Sequence, residues 1–327
     1  MGGPGPDTVR DMRALITGIA GQDGSYLAGQ LAMAGYEVYG MLRGQRHPKA
    51  EWLQELVPEL HLVQGDLLDQ SSLINVLKET EPQVIFNLGA LTYVGMSWQQ
   101  PALMTEVTGL GVLRLLEAIR MINPDIRLVH ASSSEQFGSS APPQDETTRF
   151  WPRSPYGVAK LMAHHTVVNY RESYGMFAST AIMFNHTSPR RGLEFVERKI
   201  TNTVAWIHAG RHTQLRLGNL DSYRDWGWAP DYVKGLRLIA EHSDPDDFVL
   251  ATGEMHSVRE LVQKVFDWHK LPVEQFLVHD PALERPADVE ALCGNYGKAE
   301  RLLGWQPTLR FEQIVEELTV HDWQVLA

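Results

Sequence analysis

The stretch RALITGIAGQDGSYLAGQLAMAGYEVYGML, residues 13–42, decides the fold. An apolar run ends at a cluster of glycines, and a helical pattern follows with apolar residues at Tyr26, Leu27, Leu31 and Met33. Gly35 stops the helix and a second apolar run begins. This is a βαβ unit. Gly18, Gly21 and Gly24 give G-x-x-G-x-x-G directly between strand and helix. Glycine there lets the backbone turn sharply and lets a pyrophosphate approach the amides at the helix N-terminus. The alternative, a glycine-rich connection that holds nothing, is disfavoured by the strand before it and the helix after it.

Outward from this unit, short apolar runs recur at 60–63, 84–90, 127–132, 179–185 and 248–253, with helical patterns such as GVLRLLEAIRMI between the earlier ones. Apolar strands alternating with helices predict an α/β protein, a Rossmann-type doubly wound parallel sheet covered on both faces. After Asn185 the alternation loosens into polar loops, aromatic clusters and isolated helices, then resumes in DWGWAPDYVKGLRLIAEHSDPDDFVLATG. The expectation is a flexible tail over 1–12 and a cofactor domain from 13–184 plus 216–253. A smaller, interleaved C-terminal substrate-binding domain takes 185–215 plus 254–327.

Composition narrows the function. Acids outnumber bases 40 to 29, and the formal charge of -11 argues against nucleic acid or an anionic membrane as partner. Any anionic ligand must therefore meet local basic residues. Cys293 is the only cysteine, so neither an intrachain disulfide nor a cysteine-based zinc site can form, and no metal is expected. No apolar run approaches the ~20 residues that span a bilayer, and the start lacks a signal-peptide pattern. The reading is of a soluble, cytoplasmic protein.

The cofactor follows from what ends the strands. Dinucleotide folds that prefer NAD place an acid after the second strand, to accept from the ribose 2′-hydroxyl. Here YGMLRGQR offers Arg43, with Arg46 nearby, which suits the 2′-phosphate of NADP; otherwise either arginine is a solvated surface charge. In GDLLD (65–69), Asp66 and its neighbouring amides suit the adenine amino edge. NLGALTYVG (87–95) ends the fourth strand at a glycine flanked by Leu88 and Ala90, where small residues let a dinucleotide cross the sheet edge.

RSPYGVAK places Tyr156 and Lys160 four residues apart, on one helix face, with Ser154 as N-cap and Pro155 in the first turn. A cation beside a phenol favours the phenolate and lowers its pKa from ~10. Tyr156 then accepts a proton from a substrate hydroxyl, Ser133 hydrogen-bonds the same oxygen, and Lys160 also holds the nicotinamide ribose. The alternative is an ordinary amphipathic helix. Glu135, in ASSSEQFG (131–138), exceeds what alcohol oxidation needs. A carboxylate there suits a second proton transfer, removal of a C–H proton beside a new ketone with loss of a hydroxyl as water.

The glycine spacing is similar to that of short-chain dehydrogenases/reductases. Taken with NLGA, SSSEQFG, PRSPYGVAK, FNHTSPRRG, RKI, LGNLDSYRDWG, DYV and ATGEMHSVRE, the chain resembles the GDP-mannose 4,6-dehydratases of the extended short-chain dehydrogenase/reductase superfamily, from about Arg13 to LLGWQP. FNHTSPRRG separates that family from the related 4-keto-sugar reductases. The resemblance implies that Tyr156 deprotonates the C4 hydroxyl as hydride passes from C4 to NADP+. Glu135 removes the C5 proton as the C6 hydroxyl leaves, and hydride returns to C6. It also implies cofactor contacts from Gly18, Gly21, Gln22, Asp23, Gly24, Arg43, Asp66, Leu67, Tyr156, Lys160, His186 and Arg191. Asn185, Lys199, Arg224 and Arg285 fall in motifs near the nucleotide sugar, where Arg and Lys neutralise a diphosphate. For each basic residue the other possibility is a surface ion pair, most of all for Arg285 in ERPADVE, which acids flank.

The chain departs from the family where Gly44 replaces a second arginine in a shortened segment that, in relatives, meets both the NADP phosphate and a neighbouring subunit. Met104 stands at a frequent tyrosine, Ser133 at a frequent threonine, and EQFG at a frequent ELYG. A homodimer or homotetramer is implied. His164 and His165 are read as helix residues, and Trp226 and Trp228 as either sugar-pocket walls or packing. Two other functions remain open at this stage: a sugar-nucleotide epimerase or 4-keto-reductase, for which Glu135 is optional, and a non-catalytic NADP-binding regulator.

Overall fold

The computed structural model describes residues 12–44 and 46–326, so the tail expected over 1–12 lies outside the described residues except for Met12. Seven strands build the main sheet: β1 (Arg13–Thr17), β2 (Glu37–Leu42), β3 (His61–Gln64), β4 (Val84–Asn87), β5 (Arg127–Ser133), β6 (Ala178–Met183) and β7 (Asp247–Leu250). The larger helices are α1 (Gln22–Met33), α2 (Gln70–Thr80), α3 (Gly111–Ile122), α4 (Pro155–Tyr174), α5 (Val196–His208), α6 (Ala229–Glu241), α7 (Val258–His269) and α8 (Phe311–Leu326). The sheet runs β7-β6-β5-β4-β1-β2-β3 and every pairing in it is parallel.

Both faces are covered because successive strand residues point to opposite sides. Ala14 and Ile16 of β1, with Val84 and Phe86 of β4, join the cluster completed by Leu27 and Leu31 of α1 and Val233 and Leu236 of α6. Leu15 and Ile85 face the other way, among Leu73 and Val76 of α2, Leu115 and Ile119 of α3, and Val167 of α4. Met33 does not join the core. It is 85% exposed at the last position of α1, where a period-based reading has least power.

Strand order reverses between β1 and β4, which opens a crevice at their C-terminal ends. The loops after these strands touch: a Cβ on Gly18, whose φ is +71°, would lie 2.8 Å from the Gly89 nitrogen. At Gly24 a Cβ would lie 2.5 Å from the Gly18 carbonyl oxygen, so α1 packs directly on the turn. Glycine is required at both.

A third apolar cluster, which forms a second layer, gathers Ile200 and Val204 of α5, Val262 and Phe266 of α7, Phe311 and Val315 of α8, and Leu217 and Trp226 from the segment between α5 and α6. Leu215–Leu217 pairs with Leu277–His279, and Trp226–Trp228 with Asn185–Thr187. The segment 216–228, assigned from sequence to the cofactor half, thus runs with this second layer before α6 and β7 return to the sheet. Trp226 is packing, stacked on Phe311 at 5.6 Å. Among the described residues no helix is long and apolar enough to cross a membrane.

Candidate active site

A cavity of about 510 Å³ opens at the C-terminal ends of the central strands, between the sheet and the second layer. Its walls include Asp23, Leu88, Ser133, Glu135, Tyr156 and Lys160 on the sheet side. Opposite them stand Asn185, His186, Arg191, Lys199, Arg224 and Arg285. Separated segments of the chain therefore bring the hydroxyl, the carboxylate, the phenol and the ammonium to one space.

Local structure sets each group. Ser133 ends β5 and caps a single 3₁₀ turn over 134–136, its Oγ accepting the Glu135 amide at 3.2 Å. Gln136 ties the turn down by accepting from Ser132 Oγ at 2.9 Å, while the buried Glu135 faces the cavity. Ser154 caps α4, its Oγ accepting the Gly157 amide at 3.0 Å; Pro155 opens the helix, and Gly175, with φ +66°, ends it. Lys160 Nζ donates to the Ala131 carbonyl of β5 at 2.7 Å. Met104 is fully buried against Tyr156 and Ala159, so the departure at this position backs the tyrosine.

The electrostatics correct one expectation. Tyr156 is not lowered: burial pushes its phenol up to about 12, with the charges of Glu135 and Asp23 adding to the rise, while the Ser133 hydroxyl and Arg191 oppose it. Lys160 Nζ lies 5.9 Å from the ring centre and donates one of its three protons to the Ala131 carbonyl. Burial pushes that ammonium down to about 8, against the pull of Asp23. Burial also lowers Arg224, and Glu135 and then Asp288 resist it. Lys199 is lowered by burial and supported by Asp280.

Other predicted residues hold the frame. Asp23 accepts from Gln22 at 2.9 Å and meets His186 Nε2 at 2.9 Å, and Ser188 Oγ donates to Gln22 at 2.9 Å. Burial tends to raise the Asp23 carboxyl, but His186, Gln22 and Arg191 together outweigh it and the pKa is lowered. Arg43 is exposed beyond β2, and Asp66 follows β3 with one carboxylate oxygen accepting the Leu68 amide at 2.9 Å; neither lines the cavity, nor does Ala90. Leu67 is buried, and a Cβ on Gly89 would meet it at 2.9 Å. Arg285 pairs with Asp288 at 3.4 Å while still lining the cavity.

Asp288 and Asn219 line the site without having been singled out from sequence. Asp288 bridges Arg224 and Arg285, each at 3.4 Å, and its only sequence signal is being an acid in ERPADVE. His164, on α4, packs beside Asp247 at 3.7 Å and is pushed down to about 4 by burial.

These residues suit a dinucleotide. Gly21 gives α1 no side-chain cap, leaving first-turn amides for an anion, and the buried Arg191 Nε and Asn185 Oδ1 in the cavity have no protein partner.

A tyrosine and lysine on one helix face above the C-terminal edge of a doubly wound sheet define the class of extended short-chain dehydrogenases/reductases. The UDP-glucose 4-epimerase of Thermus thermophilus, solved in complex with NAD, is similar over 97% of this chain and 100% of its own, with a TM-score of 0.82 and 27% identity. Within that class, the profile of the family described as GDP-mannose 4,6 dehydratase matches residues 15–318. The chain belongs to this family. It is 43% identical to GDP-mannose 4,6 dehydratase 1 of Arabidopsis thaliana over 95% of this chain and 90% of the relative. It is 42% identical to the human GDP-mannose 4,6 dehydratase over 96% and 92%.

Proposed function

We propose that this chain removes water from GDP-mannose, giving GDP-4-keto-6-deoxy-mannose. The observation that carries the reading is Glu135 in one cavity with Ser133, Tyr156 and Lys160. Oxidation or epimerisation at C4 needs only the phenol, the hydroxyl and the lysine. A buried carboxylate facing the same space supplies the second proton transfer that elimination requires.

Tyr156 accepts the C4 hydroxyl proton and Ser133 shares that oxygen. The C4 ketone acidifies C5, from which Glu135 takes a proton and passes one to the departing C6 hydroxyl. A nicotinamide dinucleotide bound there would supply reversible hydride chemistry between C4 and C6, so none would be consumed, and C5 regains a proton from solvent by way of Glu135 as C6 is reduced. Lys160, His186 and Arg191, which line the cavity, would hold that dinucleotide. Asn185, Lys199, Arg224 and Arg285 bind the sugar nucleotide, their positive charges matched to its diphosphate.

NADP is the finer cofactor assignment, supported by Arg43 where an NAD site has an acid. The chain divides into a dinucleotide half and a substrate half, and the separate apolar clusters support a crossing near 228 rather than 216. A homodimer or homotetramer and a cytoplasmic location complete the reading. The lone Cys293, which can form no internal disulfide, supports the second.

Incubation with GDP-mannose and a catalytic amount of NADP+ tests it. Loss of one water by mass, without net change in the dinucleotide, is the expected result. An isomer of unchanged mass, or stoichiometric consumption of the dinucleotide, would refute it.

A further inference from the structure

We propose that Glu197 accepts hydrogen bonds from hydroxyl groups of the substrate's hexose and so helps to set which sugar is bound. The inference rests on the dehydratase reading and names a contact for that same site.

Glu197 is the second residue of α5, where a carboxylate ordinarily turns to solvent beside the helix amides. Here it is 3% exposed, lines the cavity, and leaves Oε1 buried with no hydrogen-bond partner. A desolvated carboxylate oxygen without a donor is costly, so the missing partner is a donor that enters the cavity. Arg224 is not that partner. Its Nη1 donates to the Tyr223 and Val289 carbonyls at 2.8 and 2.9 Å, and its Nη2 faces Asp288 at 3.4 Å.

Position within the cavity identifies the donor. Arg198, the next residue of α5, donates from Nη1 to the Arg191 carbonyl at 3.2 Å, which ties the first turn of α5, and Glu197 with it, to the segment that carries His186 and Arg191 into the cavity. Lys199, two residues further along α5, projects from a different side of the helix and is supported by Asp280, toward the end where Leu217 and Leu283 line the cavity. A diphosphate would be repelled by a carboxylate. Neutral hydroxyls of the hexose are donors that suit it.

The test compares binding of GDP-mannose with binding of GDP, by calorimetry in a Tyr156→Phe background that cannot turn the sugar over. Glu197→Ala should weaken GDP-mannose on the order of 10- to 100-fold, as loss of a hydrogen bond to a charged acceptor does. GDP, which lacks the hexose, should bind as before. Glu197→Gln keeps one acceptor and should fall between. Equal losses for both ligands, or no loss for either, would overturn the assignment. Water loss from GDP-mannose by the unmodified chain is followed in parallel. Its absence would sink the dehydratase reading, whereas normal turnover with unchanged affinities would sink only the role of Glu197.

Discussion

Tyr156 carries opposing demands: burial shields the reacting oxygen from water, and the same burial holds its proton on, up to about 12. Ser133 and Arg191 work against burial at that oxygen, so on the proposed assignment the field of Arg191 would reach catalysis as well as binding. Arg191→Met should raise the phenol further. With saturating ligands, the limb along which kcat climbs with pH should then move to higher pH; an unmoved limb, or one moved to lower pH, would refute this role. Glu135→Gln separates the two proton transfers. Solvent deuterium incorporation at C5 should fall on the order of 10²- to 10⁴-fold while dinucleotide binding is kept, and normal dehydration by that variant would end the assignment of Glu135.

At the scale of elements, α4 matters most, because it carries both Tyr156 and Lys160 and is registered from its N-terminus. Ser154→Ala removes the cap from the Gly157 amide and should cost about 1 kcal/mol of stability. Thermal melting should read the loss, and kcat should fall with it as the tyrosine loses its register; unchanged melting would contradict the cap's role. The start of this helix was legible from sequence because its signals are local: a capping serine and a proline at the first position. Strand ends were less so. The apolar pattern through 90 predicts a longer fourth strand, but β4 stops at Asn87, whose side chain accepts from Thr17 at 2.6 Å and meets His130 at 3.1 Å. Such a polar chain across three strands has no periodic signature.

Across the whole molecule, what the sequence concealed is pairing at a distance. Asp23 and His186 lie 163 positions apart, yet share a 2.9 Å contact at the dinucleotide turn. Asp225 accepts from Thr252, Gly253 and Gly294, pinning the segment that bears Arg224 to the end of β7. No spacing rule reaches such partners. The doubly wound sheet was readable because its period repeats along the chain, and the proposed reacting set was suggested by motifs that follow strand ends in order. Glu197 and Asp288 were missed, since an isolated acid in a helix or loop reads as a solvated one until its burial is known.

One molecule must oxidise C4 and reduce C6 within a single binding event. GDP-mannose carrying deuterium at C4 tests this directly, and the dehydrated product should carry that deuterium at C6. Product with deuterium still at C4, or without it at C6, would contradict the account.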